Sequence, residues 1–136
     1  MPEAAEILQV IHRLSHRAWA KEGAAIGLSH SEFEYLAAIH AEAQTQFWDG
    51  DTHGQHLHNI VDRLGVSKAS ASAMVSKLEG RALITRIQCQ MDARAQHIIL
   101  TDAGADLLRR GEEIYDAIAR TLPDQIAAEV AALTAP

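Results

Sequence analysis

A mainly α fold with one small β-hairpin is what this chain of 136 residues predicts, on three observations. Apolar residues recur at three- and four-residue spacing at both ends of the chain. Two short helical patterns in the middle meet at Gly65-Val66. Two Ile-rich segments then flank a polar turn, and a further helical pattern follows.

The first helix is read from Ala4, Ile7, Leu8, Ile11, Leu14 and Ala18, an apolar stripe of about five turns. A second begins at Leu28-Ser29-His30-Ser31-Glu32-Phe33. Ser29 and Glu32 have capping-box spacing, and Leu28 with Phe33 suits a hydrophobic staple. Phe33, Leu36, His40 and Ala43 are expected on its inner face. Residues 42–56 are more polar than a linker requires and carry Phe47-Trp48 before the turn signal Asp49-Gly50-Asp51. Two readings stand: a surface loop pinned by its aromatics, or a wall over a ligand pocket.

A helix over 57–64 then meets Gly65, which can supply the positive φ of a sharp helix-helix turn. Ser67 stands at the N-cap of the next helix, expected to reach Glu79. Ala71, Met74, Val75 and Leu78 form its buried stripe. Its other face carries Lys68, Ser70, Ser72, Ala73, Ser76 and Lys77, short, polar and cationic, as close approach to a phosphate or base edge requires. Taken alone, this face fits an ordinary solvated helix equally well. Leu83–Cys89 and Gln96–Leu100 read as strands of one hairpin, with Asp92 and Arg94 at its tip. An Arg on a projecting hairpin can enter a narrow minor groove. Thr101 caps a long helix marked by Leu107, Leu108, Ile114, Ile118 and Leu122, expected to stop at Pro123. Ile126, Val130 and Leu133 mark a last short helix. Helix, tight turn, helix and hairpin in this order make a winged helix-turn-helix, and DNA binding is the first functional expectation.

At these residues the chain resembles the MarR family of bacterial transcriptional regulators. Leu64-Gly65-Val66-Ser67-Lys68, Val75-Ser76-Lys77-Leu78-Glu79, Leu83-Ile84-Thr85-Arg86, Asp92-x-Arg94 and Leu100-Thr101-x-x-Gly104 carry the resemblance through the middle third of the chain. It implies a helix matching 67–79 in the major groove, an Arg94 reaching the minor groove and an Asp92 that helps to fix the wing. Many members are repressors that release DNA on binding a phenolic or other lipophilic ligand, or on cysteine oxidation. The family's ligand pocket implies Trp19 and His40 as pocket residues. Two positions depart from the pattern: Ala73 stands where many relatives carry Arg, and Ala82 where many carry Gly, the nearest Gly here being Gly80.

Charge is unevenly placed. Residues 57–100 hold six basic groups (Arg63, Lys68, Lys77, Arg81, Arg86, Arg94) against Asp62, Glu79 and Asp92, an excess of +3. The rest of the chain therefore carries −9 of the net −6. Such a module on an acidic body orients approach to a polyanion and gives salt-sensitive binding.

One domain over 1–136 is expected, with a winged lobe of about 29–101 and dimerisation helices of about 3–22 and 102–134. The end helices carry more apolar face than a three-helix core covers. A twofold homodimer would set two recognition helices about one DNA turn apart, roughly 10 base pairs, and read a pseudo-palindromic operator in double-stranded DNA. A small-molecule effector is a possible further partner, and a membrane is not. No apolar run approaches the roughly 18 residues of a spanning helix. Glu3, Glu6 and Arg13 interrupt any signal-like N-terminus, and a single cysteine fits a reducing cytoplasm.

Catalysis is not expected, because no nucleophile elbow or phosphate loop occurs. No cofactor and no metal site is expected either. His12 and His16 have chelating spacing and His53, His56 and His58 cluster, but the long C-terminal helix has no histidine to complete a family-type zinc site. Cys89, with no flanking Lys or Arg, reads as structural rather than reactive. The alternatives to a ligand-responsive repressor are a winged-helix protein-interaction module without DNA binding, and a metal or redox sensor on the same fold.

Overall fold

The computed structural model describes residues 2–49, 56–88 and 96–135. Among them the elements run α1 (Ala4–Ala25), α2 (His30–Asp49), α3 (Leu57–Leu64), α4 (Lys68–Gly80), β1 (Ile84–Gln88), β2 (Gln96–Leu100) and α5 (Asp102–Thr134). The fold is mainly α with a two-stranded antiparallel wing. The chain divides into two compact units, Ser31–Arg109 and Met1–His30 with Arg110–Pro136.

In the unit of 31–109, α3 closes on Gly65, whose φ of 65° and ψ of 36° are left-handed, with its amide 2.9 Å from the Val61 carbonyl. That conformation turns the chain within a few residues toward α4, where Ser67 Oγ accepts the Ser70 amide at 3.1 Å. The cap satisfies one of the amides a helix start leaves open. Ala71, Val75 and Leu78 are fully buried, and Met74 is half-buried at the border of the stripe. They belong to a core that includes Leu36, Ile39, Ile60 and Ile98.

α2 differs from expectation at two places. His40 is exposed, and Ile39 takes the inner position after Phe33 and Leu36. A helical stripe can step by three as readily as by four, and the isoleucine loses more by exposure to water. The helix also continues to Asp49, so 42–49 is not loop. The helix formers Glu42, Ala43 and Gln44 extend the element past the expected boundary, and Gly50 and Asp51 of the turn signal lie outside the described residues.

The hairpin pairs Ile84 with Leu100, Arg86 with Ile98 and Gln88 with Gln96. Ile84 and Ile98 face the core, while Ile87 is half-exposed on the opposite side, the alternation of a sheet wet on one face. It is tied at both ends of its strands. His56 Nδ1 lies 3.1 Å from the Gln96 carbonyl, and Thr101 Oγ1 donates to the Ala82 carbonyl at 2.7 Å while accepting the Gly104 amide at 3.0 Å. Thr101 thus caps α5 and holds the segment entering β1 at once.

In the other unit, α1 ends at a left-handed Gly27 (φ 67°), with Leu28 bonding back to Gly23 at 2.9 Å. Val10, Trp19, Leu28 and Ile118 are buried. α5 runs through Pro123 without a break, contrary to the expected stop. Pro123 deprives the helix of one amide, yet the following Ala127, Ala128, Ala131 and Ala132 favour helix strongly. Ile126 and Val130 are half-buried there, and Glu129 pairs with Arg13 of α1 at 3.2 Å.

Candidate nucleic-acid interface

α4 presents two adjacent rows to solvent. Lys68, Ser72 and Ser76 follow each other at four-residue spacing, and Ala73 and Lys77 form the next row. All five are exposed, as are Ser67 and Ser70 at the capped end. The face is shallow, because four of these seven side chains are serines and one is alanine. A backbone carrying so little bulk can approach a base edge closely.

The positive charge around this face is largely engaged. Glu32, buried in the first turn of α2, accepts from Arg81 Nη1 and lies 3.9 Å from Lys77 Nζ. Arg63 Nε donates to Glu42 Oε1 at 2.8 Å. Arg86, on β1, reaches back to α4, with Nε 3.3 Å from Glu79 Oε1 and Nη2 3.3 Å from Ser76 Oγ. Lys68 makes no ion pair among the described residues. Among the described residues the excess cation count of the module thus becomes one unengaged lysine at the start of α4 and one loosely held lysine, Lys77, near its end. Asp92, Arg94 and Cys89 lie outside the described residues.

Sequence reasoning missed Glu32, read there only as a capping residue, and the Glu79 partnership of Arg86. Glu32 and Arg81 are 49 positions apart, and no local periodicity links them. Glu79 and Arg86 meet only because β1 folds back beside the helix it follows.

Trp19 lines a cavity of about 400 Å³ together with His16, Ala20, Ala24, Leu28 and His30. One wall is an aromatic group: Trp19 stands edge-on to His30 with centroids 5.3 Å apart and 5.0 Å from Tyr115, and His30 Nε2 is hydrogen-bonded to the Tyr115 hydroxyl. His40 is in the other unit, exposed, with its Nε2 3.0 Å from Gln44 Nε2, and is not among the lining residues. His12 and His16 stack at 6.0 Å, and His56 lies 5.7 Å from His58 and 4.8 Å from His97. Among the described residues no group of three or more His, Cys, Asp or Glu is arranged to hold a metal ion. No described helix is long and apolar enough to cross a membrane.

Residues 50–95 match the model of the MarR family, and no curated protein sequence matches the chain. Among solved structures the chain is similar to a point mutant of S. aureus MepR, with 20% identity, a TM-score of 0.76 and coverage of 98% of this chain and 96% of that one. It is similar to the S. aureus MepR-DNA complex at 20% identity and a TM-score of 0.68, covering 95% and 90%. It is also similar to wild-type MarR from E. coli in its apo form, at 15% identity and a TM-score of 0.69, covering 98% and 92%. The family's model is thus matched by the central module, residues 50–95, and the fold of MarR and MepR is carried along the length of the chain.

Proposed function

We propose that the chain is a DNA-binding transcriptional regulator, a ligand-responsive repressor that binds an inverted repeat as a homodimer. The observation that carries this reading is α4. It is N-capped, seated on the core by Ala71, Val75 and Leu78, and turns a shallow Ser/Lys face to solvent within a MarR-family module. One solved structure of similar fold is MepR in complex with DNA.

The residues assigned to DNA are Ser67, Lys68, Ser70, Ser72, Ala73, Ser76 and Lys77 on α4, Arg86 beside it, and Asp92 and Arg94 of the wing. The recognition lobe is taken as about 29–101, and the end helices as the dimerisation elements. In support of the latter, Leu8 and Leu133 are 65% and 50% exposed, and Ile7, Ile11, Leu14, Leu122, Ile126 and Val130 are half-buried. Apolar side chains in such number on two helices gain by burial against a second copy. The aromatic-walled cavity at Trp19 supports a small apolar effector; His40 enters this reading through the family resemblance alone.

Selection of duplexes from a randomised library by the purified full chain tests the function. Enrichment of a near-palindrome with half-sites about one turn apart, roughly 10 base pairs, is the expected result. No enriched duplex at low salt would remove DNA binding from the reading and leave a protein-interaction module.

A further inference from the structure

Arg86 stands next to the recognition face, and two of its five donors are turned back toward α4. Nε–H goes to the Glu79 carboxylate and Nη2–H to Ser76 Oγ, both at 3.3 Å. A guanidinium has donors only, so the direction of the second bond is fixed: the Ser76 oxygen accepts. A serine on a helix commonly spends its own proton on a carbonyl three or four residues back, as Thr121 does here toward Ala117 and Ile118. Ser76 makes no such bond among the described residues. Its hydroxyl is exposed, with one lone pair taken by a cation and its proton available.

On this basis, and resting on the DNA-binding reading above, we propose that Arg86 is a positioning residue that sets base specificity through Ser76. It makes the Ser76 hydroxyl a hydrogen-bond donor to the DNA. A free serine reads donors and acceptors alike. With a guanidinium on its oxygen, an incoming N–H meets like polarity, while an incoming acceptor meets an O–H proton polarised by the cation. Guanine O6 and N7, adenine N7 and thymine O4 are acceptors in the major groove. Cytosine offers only its N4 amino donor there. The base pair under Ser76 is therefore read as "not cytosine" on the contacted strand. Glu79 holds the guanidinium in place.

The test is library selection and salt titration with the full chain and the variants Arg86→Ala, Glu79→Gln, Ser76→Ala and Ser76→Ala/Arg86→Ala, folding checked by circular dichroism. The wild type should exclude cytosine at one position of each half-site by about three- to tenfold, the worth of one hydrogen bond. Arg86→Ala should admit cytosine there and leave the dependence of log K on log salt unchanged. Glu79→Gln should shift the preference the same way by less. The double variant should behave as Ser76→Ala alone. A different result overturns the inference by itself: Arg86→Ala weakening all sequences alike, the salt slope falling by about 0.9 as for a lost phosphate contact, and Ser76→Ala adding independently. Failure of the wild type to enrich any duplex overturns the function proposed above, and this inference with it.

Discussion

The Leu83 amide bonds back to the Leu78 carbonyl at 3.0 Å, while the Ala82 amide meets the Glu79 carbonyl at 2.9 Å. Together these are the two reversed bonds of a Schellman helix end, with the buried Leu78 and Leu83 flanking it. The residue at its left-handed position is Ala82, with a φ of 60°. α1 ends in the same motif with Gly27 in that role. The departure from the family pattern at 82 therefore changes the residue but not the geometry. Gly80 does not take over that left-handed position; it is the last helical residue of α4, followed by Arg81 as the cap.

Ala82→Gly should consequently stabilise the protein. A left-handed L-residue costs roughly 1 kcal/mol that glycine does not, which for a domain of this size raises Tm by about 3 °C. Thermal melts of the two proteins check the gain, and an unchanged or lower Tm refutes the account of this turn.

Gly104 requires the opposite outcome. A Cβ there would run into the Leu83 carbonyl oxygen, a backbone atom that the Thr101 amide also bonds at 3.0 Å. Neither side can yield without moving the junction of wing and α5. Gly104→Ala should cost about 3 kcal/mol, read by urea denaturation.

Glu32→Gln should lower stability by about 1–2 kcal/mol. Its carboxylate is buried, but Arg81 is 35% exposed, so the loss falls between that of a buried pair and a surface one. The double variant Glu32→Gln/Arg81→Gln should lose less than the sum of the two single changes, because each single change strands one partner.

Lys68 is the cation available to a phosphate at the start of α4. Lys68→Ala should weaken DNA binding alike on all sequences and reduce the salt slope by about 0.9, measured by fluorescence anisotropy at several salt concentrations. A change confined to one base position would mean base readout instead.

Burial pushes the Tyr35 phenol above its usual value of 10.0. The unfolded chain then releases that proton first, so the stability this group contributes is complete below pH 10 and lost as pH rises toward its folded value. Tyr35→Phe should flatten the decline in Tm above pH 10 and leave melts at pH 7–9 with the same pH dependence.

Much of this was legible in one dimension because the physics involved is local. α3 spans 57–64 as predicted, Ser67 and Thr101 cap where their hydroxyls reach amides three residues on, and Gly65 turns because it alone in its segment lacks a Cβ. Ala71, Val75 and Leu78 are buried because helical spacing puts them on one stripe. The winged helix-turn-helix thus follows from side-chain size, periodicity and capping along the chain. What only the tertiary structure decided depends on residues distant in sequence. Glu32 serves Arg81 across 49 positions, α5 passes Pro123 with Ile126 and Val130 half-buried beyond it, and His40 gives up the inner face to Ile39. The exposed row of α4 was readable from spacing. That Arg86 turns two donors to Glu79 and Ser76 was not, because a guanidinium's partners are set by which strand folds back beside which helix, and no local pattern records that.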